Sequence, residues 1–84
     1  MSKKNLKVEI QDLKVTIRIG HNSTVDKIVS EIKDQMNNKK LVKLKANKGV
    51  LDSESRKSYW FELAKLSNSE VVTQIGNIAI LIKK

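Results

Sequence analysis

A glycine followed by three short or polar residues, Gly20-His21-Asn22-Ser23, is the stretch of this sequence best suited to chemistry. Small residues let a phosphate approach the main chain, and a Gly-x-x-Gly loop of this kind clamps a nucleic-acid backbone in some RNA-binding domains. Arg18 stands two residues before the loop, and Thr24 and Lys27 follow it. If a helix starts there, its free N–H groups and positive dipole end would also favour an anion. The competing account is an ordinary strand-to-helix turn with Gly20 in a left-handed conformation. His21 is the only histidine: it is either an exposed loop residue or a contact to phosphate or base. Further cations lie at Lys48, at Arg56 and Lys57, and at Lys39-Lys40. Each alone reads as a solvated charge. With Arg18 and Lys27 they would form a patch around one edge.

Other chemistries find little support. There is no Cys, so disulfides and thiolate metal sites are excluded, and one His leaves no basis for a structural zinc. No nucleophile, base and orienting carboxylate fall together, so a catalytic site, an enzyme activity and a cofactor are not expected. Seventeen Lys plus Arg against nine Asp plus Glu give a net charge of +8, which points to an acidic partner, nucleic acid being the commonest. The alternative is a Lys-rich soluble surface with no specific partner. The longest apolar run, Ile78 to Ile82, is too short to cross a bilayer, and no secretory signal is visible, so a cytoplasmic protein is expected.

These residues need elements to position them. Leu13, Val15, Ile17 and Ile19 alternate with Lys14, Thr16 and Arg18, predicting a strand over Leu13–Ile19 that Gly20 breaks. Val25, Ile28, Val29, Ile32 and Met36 then make one helical stripe, within a helix over Thr24–Asn37. Either Ser23 or Thr24 can cap it; with Ser23 as cap, Asp26 takes the third helical position. Leu41–Ala46 reads as the next strand, and strand, helix and strand with short connections imply a right-handed parallel crossover. Asn47-Lys48-Gly49 is a loop. Asp52 or Ser53 caps a second helix ending near Leu66, with Asn68 suited to a left-handed C-terminal position. Glu70–Ile75 and Ile78–Lys83 flank Gly76-Asn77, the signal of a tight hairpin. Ile78 to Ile82 is apolar on both faces, which marks an interior strand.

The three aromatics, Tyr59, Trp60 and Phe61, are consecutive, so they cannot share one helical face. Tyr59 and Trp60 fit the core stripe. Phe61 is left exposed, as a surface residue or a contact for a base or a protein. The chain reads as one domain, residues 1–84, a β-α-β-α-β-β sandwich with a mixed four-stranded sheet. Residues 1–12 form a short, ambiguous N-terminal element, with Met1–Lys4 a mobile tip and Asn5–Asp12 strand or short helix. With both helices on one sheet face, the other face would carry Lys14, Thr16, Arg18, Lys43 and Lys45 and be open and basic.

The pattern as a whole resembles the CRM domain family (chloroplast RNA splicing and ribosome maturation). The resemblance is carried by Leu13-Lys14, Ile17-Arg18-Ile19-Gly20-His21-Asn22-Ser23, Ile28-Val29-Ser30-Glu31-Ile32 and Leu41-Val42-Lys43-Leu44-Lys45. Arg56-Lys57, Leu63-Ala64 and Glu70-Val71-Val72-Thr73-Gln74-Ile75-Gly76 continue it. It implies a non-catalytic RNA-binding module shaped like the C-terminal domain of translation initiation factor 3. Stand-alone bacterial and archaeal members are associated with large-subunit pre-ribosomal particles, and plant organellar members act in group II intron splicing. A single domain fits the stand-alone kind, a monomer that binds ribosomal RNA. Carried over, the family's loop falls on Gly20, His21, Asn22 and Ser23, and its basic helix start on Arg56 and Lys57. Two departures stand out. Ser23 replaces the family's second loop glycine, and only about a dozen residues stand where the family has a longer first helix. Two further readings remain: a small DNA-binding chromatin protein similar to Alba, and a protein-interaction module for an acidic partner. The first needs a dimer and an extended basic arm, for which Gly76-Asn77 is too short. The second would use Phe61.

Overall fold

The computed structural model describes residues 13–84. The elements are β1 (Val15–Ile19), α1 (Val25–Gln35), β2 (Leu41–Ala46), α2 (Arg56–Leu66), β3 (Ser69–Ile75) and β4 (Ile78–Lys83). They make one mixed sheet in the order β1-β2-β4-β3, with β1 parallel to β2 and the other neighbours antiparallel. This is the expected β-α-β-α-β-β sandwich. β4 is an interior strand, flanked by β2 and β3, as its apolar run on both faces requires. Whether Asn5–Asp12 is strand or helix lies outside the described residues.

Alternation puts Ile17 and Ile19 of β1, Val42, Leu44 and Ala46 of β2, and Ala79 and Leu81 of β4 on one face. Both helices pack there. Ile28, Ile32 and Met36 come from the α1 stripe, and Trp60, Leu63 and Ala64 from α2, all in one buried cluster. Fully burying an Ile or Leu side chain contributes about 1.5–3 kcal/mol, so this layer dominates the stability. Trp60 is wholly buried, and Tyr59 meets it edge-on, with ring centroids 5.5 Å apart. Partial burial pushes the Tyr59 hydroxyl above its usual pKa. Phe61 is 52% exposed, as the spacing of the three aromatics required.

Several boundaries moved for local reasons. Thr24, not Ser23, caps α1: its Oγ1 accepts from Lys27 N–H at 3.2 Å, which makes Lys27, not Asp26, the third helical residue. α2 starts at Arg56, later than Asp52 or Ser53. Asp52 instead closes a turn through its carbonyl, which accepts from Ser55 N–H (3.2 Å) and Arg56 N–H (2.9 Å). At the far end of α2, Asn68 takes the left-handed conformation (φ 58°). Around it, Ser67 Oγ donates to the Leu63 carbonyl at 2.7 Å and pairs with Ser69 Oγ at 2.8 Å. The β3–β4 hairpin turns on Gly76 and Asn77 alone. Gly76 has φ 55° and Asn77 does not have a positive φ, the pattern of a type II′ turn.

The second sheet face is not the uniformly basic surface expected from β1 and β2. Arg18 pairs with Lys45, Lys45 with Ile78, and Ile78 with Ile75; Lys43 pairs with Ile80, and Leu41 with Ile82. Residues directly paired point to the same face. The face is therefore basic on β1 and β2 and apolar on β4. It is also not open throughout, because Leu41 and Ile80 are 6% and 3% exposed.

Candidate nucleic-acid interface

Parallel pairing of β1 and β2 brings their C-terminal ends to the same end of the molecule. The loops that leave those ends, 20–24 and 47–55, are therefore neighbours. Asn47 N–H donates to the Ile19 carbonyl at 2.8 Å, and Asn47 Nδ2 lies 3.7 Å from where a Gly20 Cβ would stand. The hairpin turn arrives at the same end because β4 runs antiparallel to β2. Ala46 N–H donates to the Asn77 carbonyl at 2.8 Å. Arg56, opening α2, donates from Nη1 to Asn77 Oδ1 at 3.4 Å. One continuous rim results: Gly20 loop, Asn47, Asn77, Arg56.

Within the rim, the glycine turn is closed on itself. Ser23 N–H donates to the Gly20 carbonyl at 3.2 Å, and Gly20 N–H donates to Ser23 Oγ at 2.9 Å. Ser23 thus fastens the turn from inside, and its half-buried hydroxyl is committed there as an acceptor. Gly20 is not left-handed, which corrects the conformation expected of it, while the segment still closes as an i→i+3 turn. A Cβ at Gly20 would meet only ordinary van der Waals contact. Neither backbone strain nor packing therefore demands a glycine. What the glycine provides is bare main chain at the end of the sheet.

His21, Asn22, Thr24 and Lys27 are exposed around that main chain. Thr24 caps α1 and takes the N–H of Lys27, leaving Val25 and Asp26 N–H without intrahelical partners. The charges at this helix start oppose each other. Asp26 in the first turn repels an anion, and Lys27 beside it attracts one. Arg18 is exposed on the outer sheet face, two residues from the turn. Lys48 projects from the Asn47–Val50 turn, where Val50 N–H donates to the Asn47 carbonyl at 3.1 Å and Gly49 is left-handed (φ 85°). Lys57 is exposed beside Arg56, whose guanidinium keeps further donors after its contact to Asn77.

The fold therefore brings together every residue singled out for binding: Arg18, Gly20 to Thr24, Lys27, Lys48, Arg56 and Lys57. It separates Lys39 and Lys40 from them, which corrects the single-patch expectation. These two precede β2, whose six residues at about 3.3 Å each put them roughly 20 Å from Asn47. Lys83 N–H donates to the Lys40 carbonyl at 2.9 Å, and Lys39, Lys40, Lys83 and Lys84 line a shallow groove there. Sequence reasoning missed Asn47 and Asn77 as members of the site. Both were legible as turn residues, but the hydrogen bonds that tie them to Ile19 and Arg56 span 28 and 21 positions (47 − 19 and 77 − 56) and leave no local signal.

Among the described residues no group of three or more His, Asp or Glu side chains could hold a metal. No helix among them is long and apolar enough to cross a membrane.

A mixed sheet with both described helices on one face, and a glycine turn amid basic loops at one end, defines a small α+β module. The chain belongs to the CRS1/YhbY (CRM) domain family, whose model matches residues 1–83. A similar solved structure is the solution structure of a hypothetical protein from Staphylococcus aureus, described as "a putative RNA binding protein". It is 20% identical, with a TM-score of 0.76 over 98% of this chain and 83% of that one, a likeness of fold. No curated protein matches the chain.

Proposed function

We propose that this protein is a non-catalytic RNA-binding module, a cytoplasmic monomer that engages structured RNA such as ribosomal RNA during large-subunit maturation. The observation that carries the reading is the rim itself. A bare glycine turn at a helix start is joined by the Ile19–Asn47 hydrogen bond to the loop that bears Lys48, and that end of the sheet is joined through Asn77 of the hairpin to Arg56. Family membership supports RNA as the anion. Phosphates would dock at the turn from Gly20 to Thr24, whose Gly20 and Ser23 N–H groups are engaged within it, against the other main-chain N–H groups there, with Arg18, Lys27, Lys48, Arg56 and Lys57 around them. His21 and Asn22, both exposed, would reach a base or sugar. Ser23 acts by holding the turn closed.

Such a mechanism rests on counterion release, so affinity falls steeply with salt. Titration against a structured RNA and duplex DNA at low and moderate salt tests it. Salt-sensitive preference for the RNA is the expected result. Equal or tighter binding to duplex DNA would overturn it in favour of a chromatin-type protein, and affinity unchanged by salt would remove the phosphate mechanism.

A further inference from the structure

The most exposed large apolar side chain among the described residues is Ile75, at 76%. Its position is specific. It ends β3 at the hairpin, pairs with Ile78, and through Ile78 and Lys45 lies in one cross-strand row with Arg18. All four point to the face away from the helices. Arg18 and Lys45 are exposed and Ile78 is half-buried, so the row runs from two cations to an apolar pair. Adjacent strands lie about 4.8 Å apart, which makes the row roughly 14 Å long. Its position is fixed at both ends. Ile19, next to Arg18, accepts from Asn47 N–H, and Asn77, two residues after Ile75, is held by Ala46 N–H and Arg56.

A single exposed isoleucine is ordinary on a protein surface. Here it continues into Ile78, borders the proposed RNA rim and faces the same direction as two cations. We infer that this row is a docking strip for an unpaired nucleotide of the same RNA, with its phosphate against Arg18 and Lys45 and its base against Ile75 and Ile78. The charge order of the strip matches a nucleotide, anionic at one end and apolar in the base plane at the other. Aliphatic side chains read no base edge, so the strip distinguishes unpaired from paired RNA rather than one base from another. This rests on the RNA-binding reading and deepens it. It assigns contacts to Lys45, Ile75 and Ile78, and gives the rim a preference for stems that adjoin a single strand.

The test uses two probes: a stem-loop RNA with a single-stranded uridine tail, and the same RNA with the tail bases removed but every phosphate kept. The protein binds the first about five-fold more tightly, as partial burial of one aliphatic side chain predicts. Ile75→Ser removes that difference, leaves the slope of affinity against salt unchanged, and melts like the parent because the side chain is exposed. Ile75→Leu restores the difference. Equal affinity of the parent protein for the two probes, or an Ile75→Ser variant that still distinguishes them, overturns the strip while leaving the rim intact. Binding to neither probe at low salt overturns the RNA reading and the strip with it.

Discussion

The two ends of the sheet are both basic, yet they are built differently. At one end stand Arg18, Lys27, Lys48, Arg56 and Lys57; at the other, Lys33, Lys39, Lys40, Lys83 and Lys84. The first end carries its charge around a closed glycine turn, an open helix start and two tied loops. The second gathers lysines about the C-terminal end of α1, where cations simply offset the helix dipole. Positive charge alone would attract RNA to either end. Of the two, the first adds main-chain donors and fixed geometry, which on the proposed reading would convert attraction into a defined contact. On the proposed reading, net charge indicates the class of partner and the turn indicates where it would sit.

Mutations at the two ends can break this distinction. The largest effect belongs to Gly20→Asp with Lys27→Glu, which places carboxylates where phosphates should dock. RNA affinity falls about a hundredfold, like-charge contact costing several kcal/mol, while circular dichroism and melting stay near the parent values. Lys39→Glu with Lys40→Glu makes a larger change in net charge at the other end. Roughly 20 Å is about two and a half Debye lengths at physiological salt, so the loss there stays within about threefold. Comparable losses from the two double variants would erase the difference between the ends.

A subtler substitution sharpens the same point. Gly20→Ala meets only ordinary van der Waals contact and no positive φ, so stability changes by no more than about 0.5 kcal/mol. RNA affinity nevertheless drops about five-fold, because a methyl group now stands between phosphate and main chain. Urea denaturation and RNA titration of the one variant separate the two effects. Undiminished affinity would reduce Gly20 to a strand end.

The smallest effect on binding is expected of Thr24→Ala. Losing the cap bond to Lys27 N–H lowers stability by about 1 kcal/mol and the melting temperature by about 4–8 °C, with RNA affinity nearly unchanged. Scanning calorimetry beside titration checks this. A large loss of affinity would make the Thr24 hydroxyl a ligand contact in its own right.

Much of this was legible in the sequence. Periodicity located β1, α1 and β2, the apolar run marked β4 as interior, and Gly76-Asn77 marked the hairpin. Each signal is local, and each survives tertiary packing. The outer face was misjudged because β1 and β2 were read without their partners. The pairing of β2 with β4 places Ile78, Ile80 and Ile82 beside Lys45, Lys43 and Leu41, and no single strand carries that information. The lysine cluster was misassigned for a similar reason: Lys39 and Lys40 are near Lys48 in sequence, but the intervening strand sets them at opposite ends. Ser23 was recognised as the departure from a second loop glycine. Its function as an internal fastener needed the Gly20 contact, since serine serves equally as a cap, a turn closer or a phosphate donor.

The most direct measurement is amide nitrogen–proton NMR of the labelled protein titrated with a structured RNA. The account predicts the largest shifts at Gly20 to Lys27, with smaller ones at Asn47 to Gly49, Arg56-Lys57 and Gly76-Asn77. Shifts concentrated at Lys33, Lys39, Lys40, Lys83 and Lys84, with the glycine turn undisturbed, would contradict it.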